Sequence, residues 1–96
     1  MKISHELDSL CDELQRRDVG RCGAVSWQGK HRWFGKVDLA GRFGPPPQTR
    51  VEAVIAELGW APAENGDANT FEHAGMRLSL YLHVGSVHAI HVTTRI

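Results

Sequence analysis

Residues Met76 to Ile96, MRLSLYLHVGSVHAIHVTTRI, alternate apolar and polar side chains through two runs separated by a glycine. Met76, Leu78, Leu80, Leu82 and Val84 fall on one side, and Arg77, Ser79, Tyr81 and His83 on the other. After Gly85-Ser86, the apolar residues Ile90, Val92 and Ile96 again take every second position or a multiple of it. Successive side chains on a strand point to opposite faces, so the stretch is a β-hairpin with one buried and one wet face. Keeping Ile90 and Val92 on the side of Leu80 and Leu82 requires an odd-length loop, Gly85-Ser86-Val87 or Val84-Gly85-Ser86. Either loop puts Tyr81, His83 and His91 on the outer face and His88 on the inner face near the turn.

Working back along the chain, Asn69 to His73 reads as a strand joined to this hairpin by a two-residue turn, Ala74-Gly75. That register sets Phe71 opposite Leu78 and Glu72 opposite Arg77. An earlier hairpin is marked by Val25 and Trp27, then Trp33, Val37 and Leu39, about Gly29. A three-residue loop, Gly29-Lys30-His31, puts Trp27 opposite Trp33 and leaves Phe34 on the outer face.

Two helices complete the pattern. Ile3, Leu7, Leu10 and Leu14 make one apolar stripe, with Ser4 as a cap, Glu6 and Asp8 in the first turn, and Gly20 as the stop. Val51, Val54, Ile55 and Leu58 make the other. Thr49 and Glu52 match a capping box, and Gly59-Trp60 matches a glycine C-cap with an apolar residue folding back. Between the first hairpin and this helix, Gly44-Pro45-Pro46-Pro47 is a stiff extended connector. The expected fold is α+β: one two-layer domain over residues 1–96, in the order α-β-β-α-β-β-β, with an antiparallel sheet of about five strands and both helices on one face.

The chain has 96 residues with eleven basic and eleven acidic side chains, hence no net charge. A general nucleic-acid binder is usually basic, so neutrality weighs against that class. The charges are unevenly placed. Residues 21–50 carry six basic groups and one acidic group, and residues 51–76 carry five acidic groups and no basic one. These two segments are expected to pair with each other, although their separation could also steer a partner. No apolar run approaches the roughly 20 residues of a membrane span. The first residues lack a signal-peptide pattern, which makes the cytoplasm the expected location. There Cys11 and Cys22 would remain small buried thiols, with a bridge between them only if the protein is exported.

No Walker loop, GxGxxG, HExxH or GxSxG motif is present, and no cofactor or metal is expected. Two sets of residues carry possible chemistry. His83 and His91, with Tyr81 and Arg77, could serve metal-independent RNA cleavage as an acid–base pair with a phenol and a phosphate-binding cation. Lys30-His31-Arg32-Trp33-Phe34-Gly35-Lys36, with Arg42-Phe43 beyond, interleaves cations and aromatics. Such a surface suits single-stranded nucleic acid or a protein interface. The sequence points first to a protein-binding module of bacterial or phage type, such as an inhibitor, immunity protein or counter-defence factor of the anti-CRISPR kind. Its binding residues would be Lys30, Arg32, Phe34, Lys36, Arg42 and Phe43. A homodimer through an exposed final strand is a further expectation.

Overall fold

A computed structural model describes residues 2–23, 26–28, 34–64 and 68–94, with side chains over 5–23, 35–64 and 68–93. The elements are α1 (Lys2–Arg16), β1 (Arg21–Cys22), β2 (Ser26–Gln28), β3 (Phe34–Ala40), α2 (Gln48–Glu57), β4 (Ala61–Pro62), β5 (Thr70–His73), β6 (Met76–His83) and β7 (Ser86–Thr94). All strand pairs are antiparallel, in the order β1-β3-β7-β6-β5-β4, with β2 also on β3. Because β1 and β2 share one edge of β3, the seven strands fill six positions. The register shifts by one residue between these two pairings.

The extra position relative to the expected five is β4, which lies between the second helix and the strand expected at Asn69 to His73. Its two residues pair with Glu72 and Phe71 of β5. Proline lacks an N–H, so Pro62 suits an edge strand. The final strand is not an edge: β7 lies between β3 and β6. A dimer through an exposed β7 is therefore ruled out, and β4 and the β1–β2 side are the edges.

Both helix stripes and the inner sheet face meet in one core. Leu7, Leu10 and Leu14 of α1, Val51, Val54 and Ile55 of α2, and Val37, Leu78, Leu80, Ile90 and Val92 of the sheet are all buried in it. The ends of the helices depart from expectation in detail. Helix α1 begins at Lys2, so Ser4 lies inside it rather than at its cap. It ends before Gly20: Asp18 takes the left-handed conformation (φ 54°), and the Val19 N–H reaches the Leu14 carbonyl at 2.9 Å. This is the Schellman geometry, with Asp18 where glycine is commoner. Helix α2 starts one residue before Thr49, with Pro47 as N-cap and no side-chain cap bond, so the capping box does not form. Gln48 Nε2 instead donates to Glu52 at 2.8 Å. Its C-terminus is as expected: Gly59 has φ 95°, the Trp60 N–H donates to the Ile55 carbonyl, and Trp60 is buried.

The hairpin registers differ in how far the sequence defined them. Phe71 pairs with Leu78 and Glu72 with Arg77 about the Ala74-Gly75 turn, as expected. The first hairpin sets Trp27 across from Gly35, not Trp33, and Gln28 across from Phe34. A shift of two residues preserves faces, and Val37 and Leu39 are buried as expected; Val25, Trp33 and the Gly29-Lys30-His31 loop lie outside the described residues. The last hairpin has an even turn, Val84-Gly85, between His83 and Ser86. The parity change is made instead by a bulge: Tyr81 pairs with Ala89 but Leu82 pairs with Val87, leaving His88 as the extra residue.

Cys11 and Cys22 form a disulfide, and neither is a free thiol. It joins α1 to β1. Closing a loop of this length contributes on the order of 3 kcal/mol in the chain-entropy description. No helix among the described residues is long and apolar enough to cross a membrane.

Candidate functional site

One end of the sheet collects features the core does not explain. After Asp38, β3 parts from β7, and the prolines take its place. The Val87 N–H donates to the Pro46 carbonyl at 2.8 Å, Pro47 bridges Ser86, and the Gln48 N–H donates to the Gly85 carbonyl at 2.9 Å. The prolines thus lend carbonyls to β7 while needing no donor of their own. Just before them, the Gly41 N–H donates to the Gly44 carbonyl at 2.8 Å and closes a tight turn. A Cβ at Gly41 would collide with that carbonyl, so only glycine fits. Arg42 and Phe43 form the tip, and Phe43 is 97% exposed.

The neighbouring Val84-Gly85 turn lies at the same end, tied to the prolines through Gly85 and Ser86. Val84 holds φ 49° and is 89% exposed. A β-branched residue with positive φ is strained, and here no burial offsets the strain. Leu82, expected in the core, is 38% exposed. Strand β5 ends opposite Ser79, so Leu82 runs past its neighbour and is covered from one side only. Phe43, Tyr81, Leu82 and Val84 are the exposed large apolar residues among those described; Phe43, Leu82 and Val84 lie at this end, and Tyr81 packs on His91 on the outer face.

Two open clefts flank the Gly41–Gly44 turn. One, of about 490 Å³, is lined by Arg21 and Arg42, and the other, of about 400 Å³, by Arg42, Phe43 and Arg50. Asp18 and Gly41 line both. Arg21 is set beside the disulfide on β1, and Arg50 projects from the first turn of α2. Among the described residues, Arg21, Lys36, Arg42 and Arg50 form no ion pair. No ion pair among the described residues joins segment 21–50 to segment 51–76; Lys30, Arg32 and Asp67 lie outside them. Glu57 pairs with Arg17 of α1, and Glu72 pairs with Arg77 at 3.0 Å. Arg17 and Arg16 also share Glu13, whose carboxyl they hold below the ordinary value, Arg16 most strongly.

Of the expected binding residues, Arg42 and Phe43 meet at this end. Lys36 is exposed in mid-strand on β3. Lys30 and Arg32 lie outside the described residues. Phe34 is placed by its backbone alone, across from Thr93. Arg21, Arg50 and Val84 were not singled out from the sequence. The run of unmatched cations over 21–50 was the available signal for the two arginines.

The outer-face histidines divide into two contacts. The Tyr81 ring packs on His91, centroids 4.1 Å apart. His91 is paired with Ser79 on one side and Lys36 on the other. Burial first, then Lys36, pushes its imidazole below the ordinary value of 6.5, against a smaller opposing pull from Asp38. His83 instead meets His88 edge-on at 5.7 Å. His88 is exposed rather than inward, because it is the bulged residue. The row of His91 lies four residues along β6 from His83, roughly 13 Å at about 3.3 Å per residue. Arg77 is engaged by Glu72. Of the four residues expected to cleave RNA, Tyr81 and His91 line one open cleft of about 450 Å³, while His83 and Arg77 are engaged elsewhere and do not line it. Among the described residues, no three His, Cys, Asp or Glu side chains are grouped to hold a metal ion.

No protein-family model, curated protein or solved structure matches this chain.

Proposed function

We propose that this protein is a non-enzymatic protein-binding module, of the kind used by inhibitors, immunity proteins and phage counter-defence factors, and that it docks through the Phe43 end of its sheet. One observation carries the reading. Phe43 stands 97% exposed on a turn pinned by the Gly41–Gly44 bond and the proline bridge to β7. A rigid aromatic loses little entropy on binding and is a common interface anchor. Arg42 beside it, without an ion pair among the described residues, and Arg50 across the adjoining cleft supply orientation and encounter rate.

The test is a pull-down from the organism that encodes the protein, with wild type and Phe43→Ser in parallel. A partner retained by wild type and lost by the variant is the expected result. Recovery of no Phe43-dependent partner overturns the reading. The compartment is tested alongside it. A paired Cys11–Cys22 favours an oxidising setting over the expected cytoplasm. Alkylation of the native protein decides, with two labelled thiols meaning the cytoplasm.

A further inference from the structure

We propose that the two clefts together receive an acidic polypeptide segment, with its carboxylates on Arg21, Arg42 and Arg50 and an apolar side chain against Phe43. The proposal rests on the protein-binding reading above and names the chemistry of the partner. Three guanidiniums with no ion-pair partner among the described residues line adjoining hollows of about 490 and 400 Å³. Each hollow is in the range that accommodates a few side chains. Arginine presents a planar fork that matches a carboxylate with two parallel hydrogen bonds. Elsewhere in the chain arginines are used in that way: Arg16 grips Glu13 through Nε and Nη2 at 3.0 and 2.7 Å. At this end the forks are present, and among the described residues none of them is ion-paired, although Asp18 lines both clefts.

Phosphate would satisfy arginine equally well, and Asp18 decides between the two. Its backbone is fixed at the Schellman end of α1, and it lines both clefts. A nucleic-acid strand crossing from Arg21 to Arg50 would carry a continuous row of negative phosphates past this carboxylate. A peptide spaces its carboxylates apart and offers N–H donors between them, which Asp18 can accept. The site therefore fits an acidic peptide better than a phosphodiester chain.

The experiment is fluorescence anisotropy with the whole protein. The probes are a labelled peptide of alternating aspartate and leucine and a labelled single-stranded RNA of equal formal charge. The peptide is expected to bind at low salt, weaken as salt rises, and lose about tenfold or more in affinity to Arg21→Glu/Arg42→Glu/Arg50→Glu. Arg21→Gln/Arg42→Gln/Arg50→Gln, with an unchanged melting profile, serves as the milder variant if charge reversal impairs folding, and it should also weaken binding. Asp18→Asn should raise affinity for the RNA relative to the peptide. Absence of peptide binding at low salt, equal binding by both triple variants, or tighter binding of RNA than of peptide overturns the proposal. A partner lost with Phe43→Ser but untouched by the arginine variants overturns this inference alone and leaves the protein-binding reading standing.

Discussion

The two ends of the sheet handle exposed chemistry in opposite ways. At the Ala74-Gly75 end, Arg77 is held by Glu72, His73 Nδ1 lies 3.1 Å from the Gly59 carbonyl, and Trp60 is buried with its ring 5.3 Å from His73. At the Val84-Gly85 end, Phe43 and Val84 stand almost wholly in solvent, and Arg42 has no carboxylate partner among the described residues. Folding rewards burial and pairing, so the first end is explained by the fold it stabilises. The second is not. A strained valine and an exposed phenylalanine, both on turns fastened to the same prolines, are features that stability alone would remove.

This contrast can be broken most directly by cutting one aromatic at each end. Trp60→Ala should cost about 3–5 kcal/mol, the usual range for emptying a large aromatic site in a core. Phe43→Ser should change stability by less than about 0.5 kcal/mol, as for other exposed positions. Urea titration of both variants measures the difference. If Phe43→Ser loses stability on the scale of Trp60→Ala, the exposed end is a structural element and the contrast fails.

How much of this was legible in the sequence depended on whether a local rule had a competitor. The Ala74-Gly75 turn was readable because three signals agreed: its length, the Phe71–Leu78 apolar match and the Glu72–Arg77 charge match. The Val84-Gly85 turn was misread because alternation alone cannot tell an odd loop from an even loop with a bulge. Both restore the same faces to Ile90 and Val92, and the bulge at His88 leaves no mark in composition. Helix α2 resisted for a similar reason. Thr49 and Glu52 have the spacing of a capping box, but Pro47 is fixed by its bridge to Ser86, and that tertiary tie sets the helix start. The Phe43 tip was legible as residue types and not as a site. Nothing in the sequence states that Arg21 and Arg50, 29 positions apart, would flank it.

The strain at Val84 gives the next test, because both hairpin turns have the same backbone. Ala74 and Val84 each have φ 49°, followed by Gly75 at 80° and Gly85 at 74°. These are the two positive φ values of a type I′ turn, where asparagine is favoured at the first position. Val84→Asn should raise stability by about 1 kcal/mol. Ala74→Asn should gain less, since alanine lacks the branched Cβ. Thermal melts of the two variants give the ranking. If Val84 is part of the binding end, Val84→Asn will also weaken capture of the partner while Ala74→Asn will not. A more stable Val84→Asn with unchanged capture would confine the interface to the Phe43 turn.

The smallest expected effect lies between the two ends, at His91 on the outer face. Its imidazole is depressed in the folded state by burial and by Lys36, while in the unfolded chain it titrates near 6.5. Over the interval between these values the unfolded chain binds the proton and the folded protein does not. The His91 contribution is therefore whole above pH 6.5, declines as pH falls, and is fully lost below the folded-state value. Denaturation midpoints taken on either side of 6.5 should show this fall, and His91→Gln should flatten it relative to wild type. Capture through Phe43 should not follow the same titration, because His91 contacts Tyr81 in mid-sheet and lines neither arginine cleft. An RNA-cleaving activity that rises and falls with this titration, and vanishes in His83→Ala/His91→Ala with the melting profile intact, would move the function from the end of the sheet to its face. The division between a settled end and an available one would then describe the fold without describing what it does.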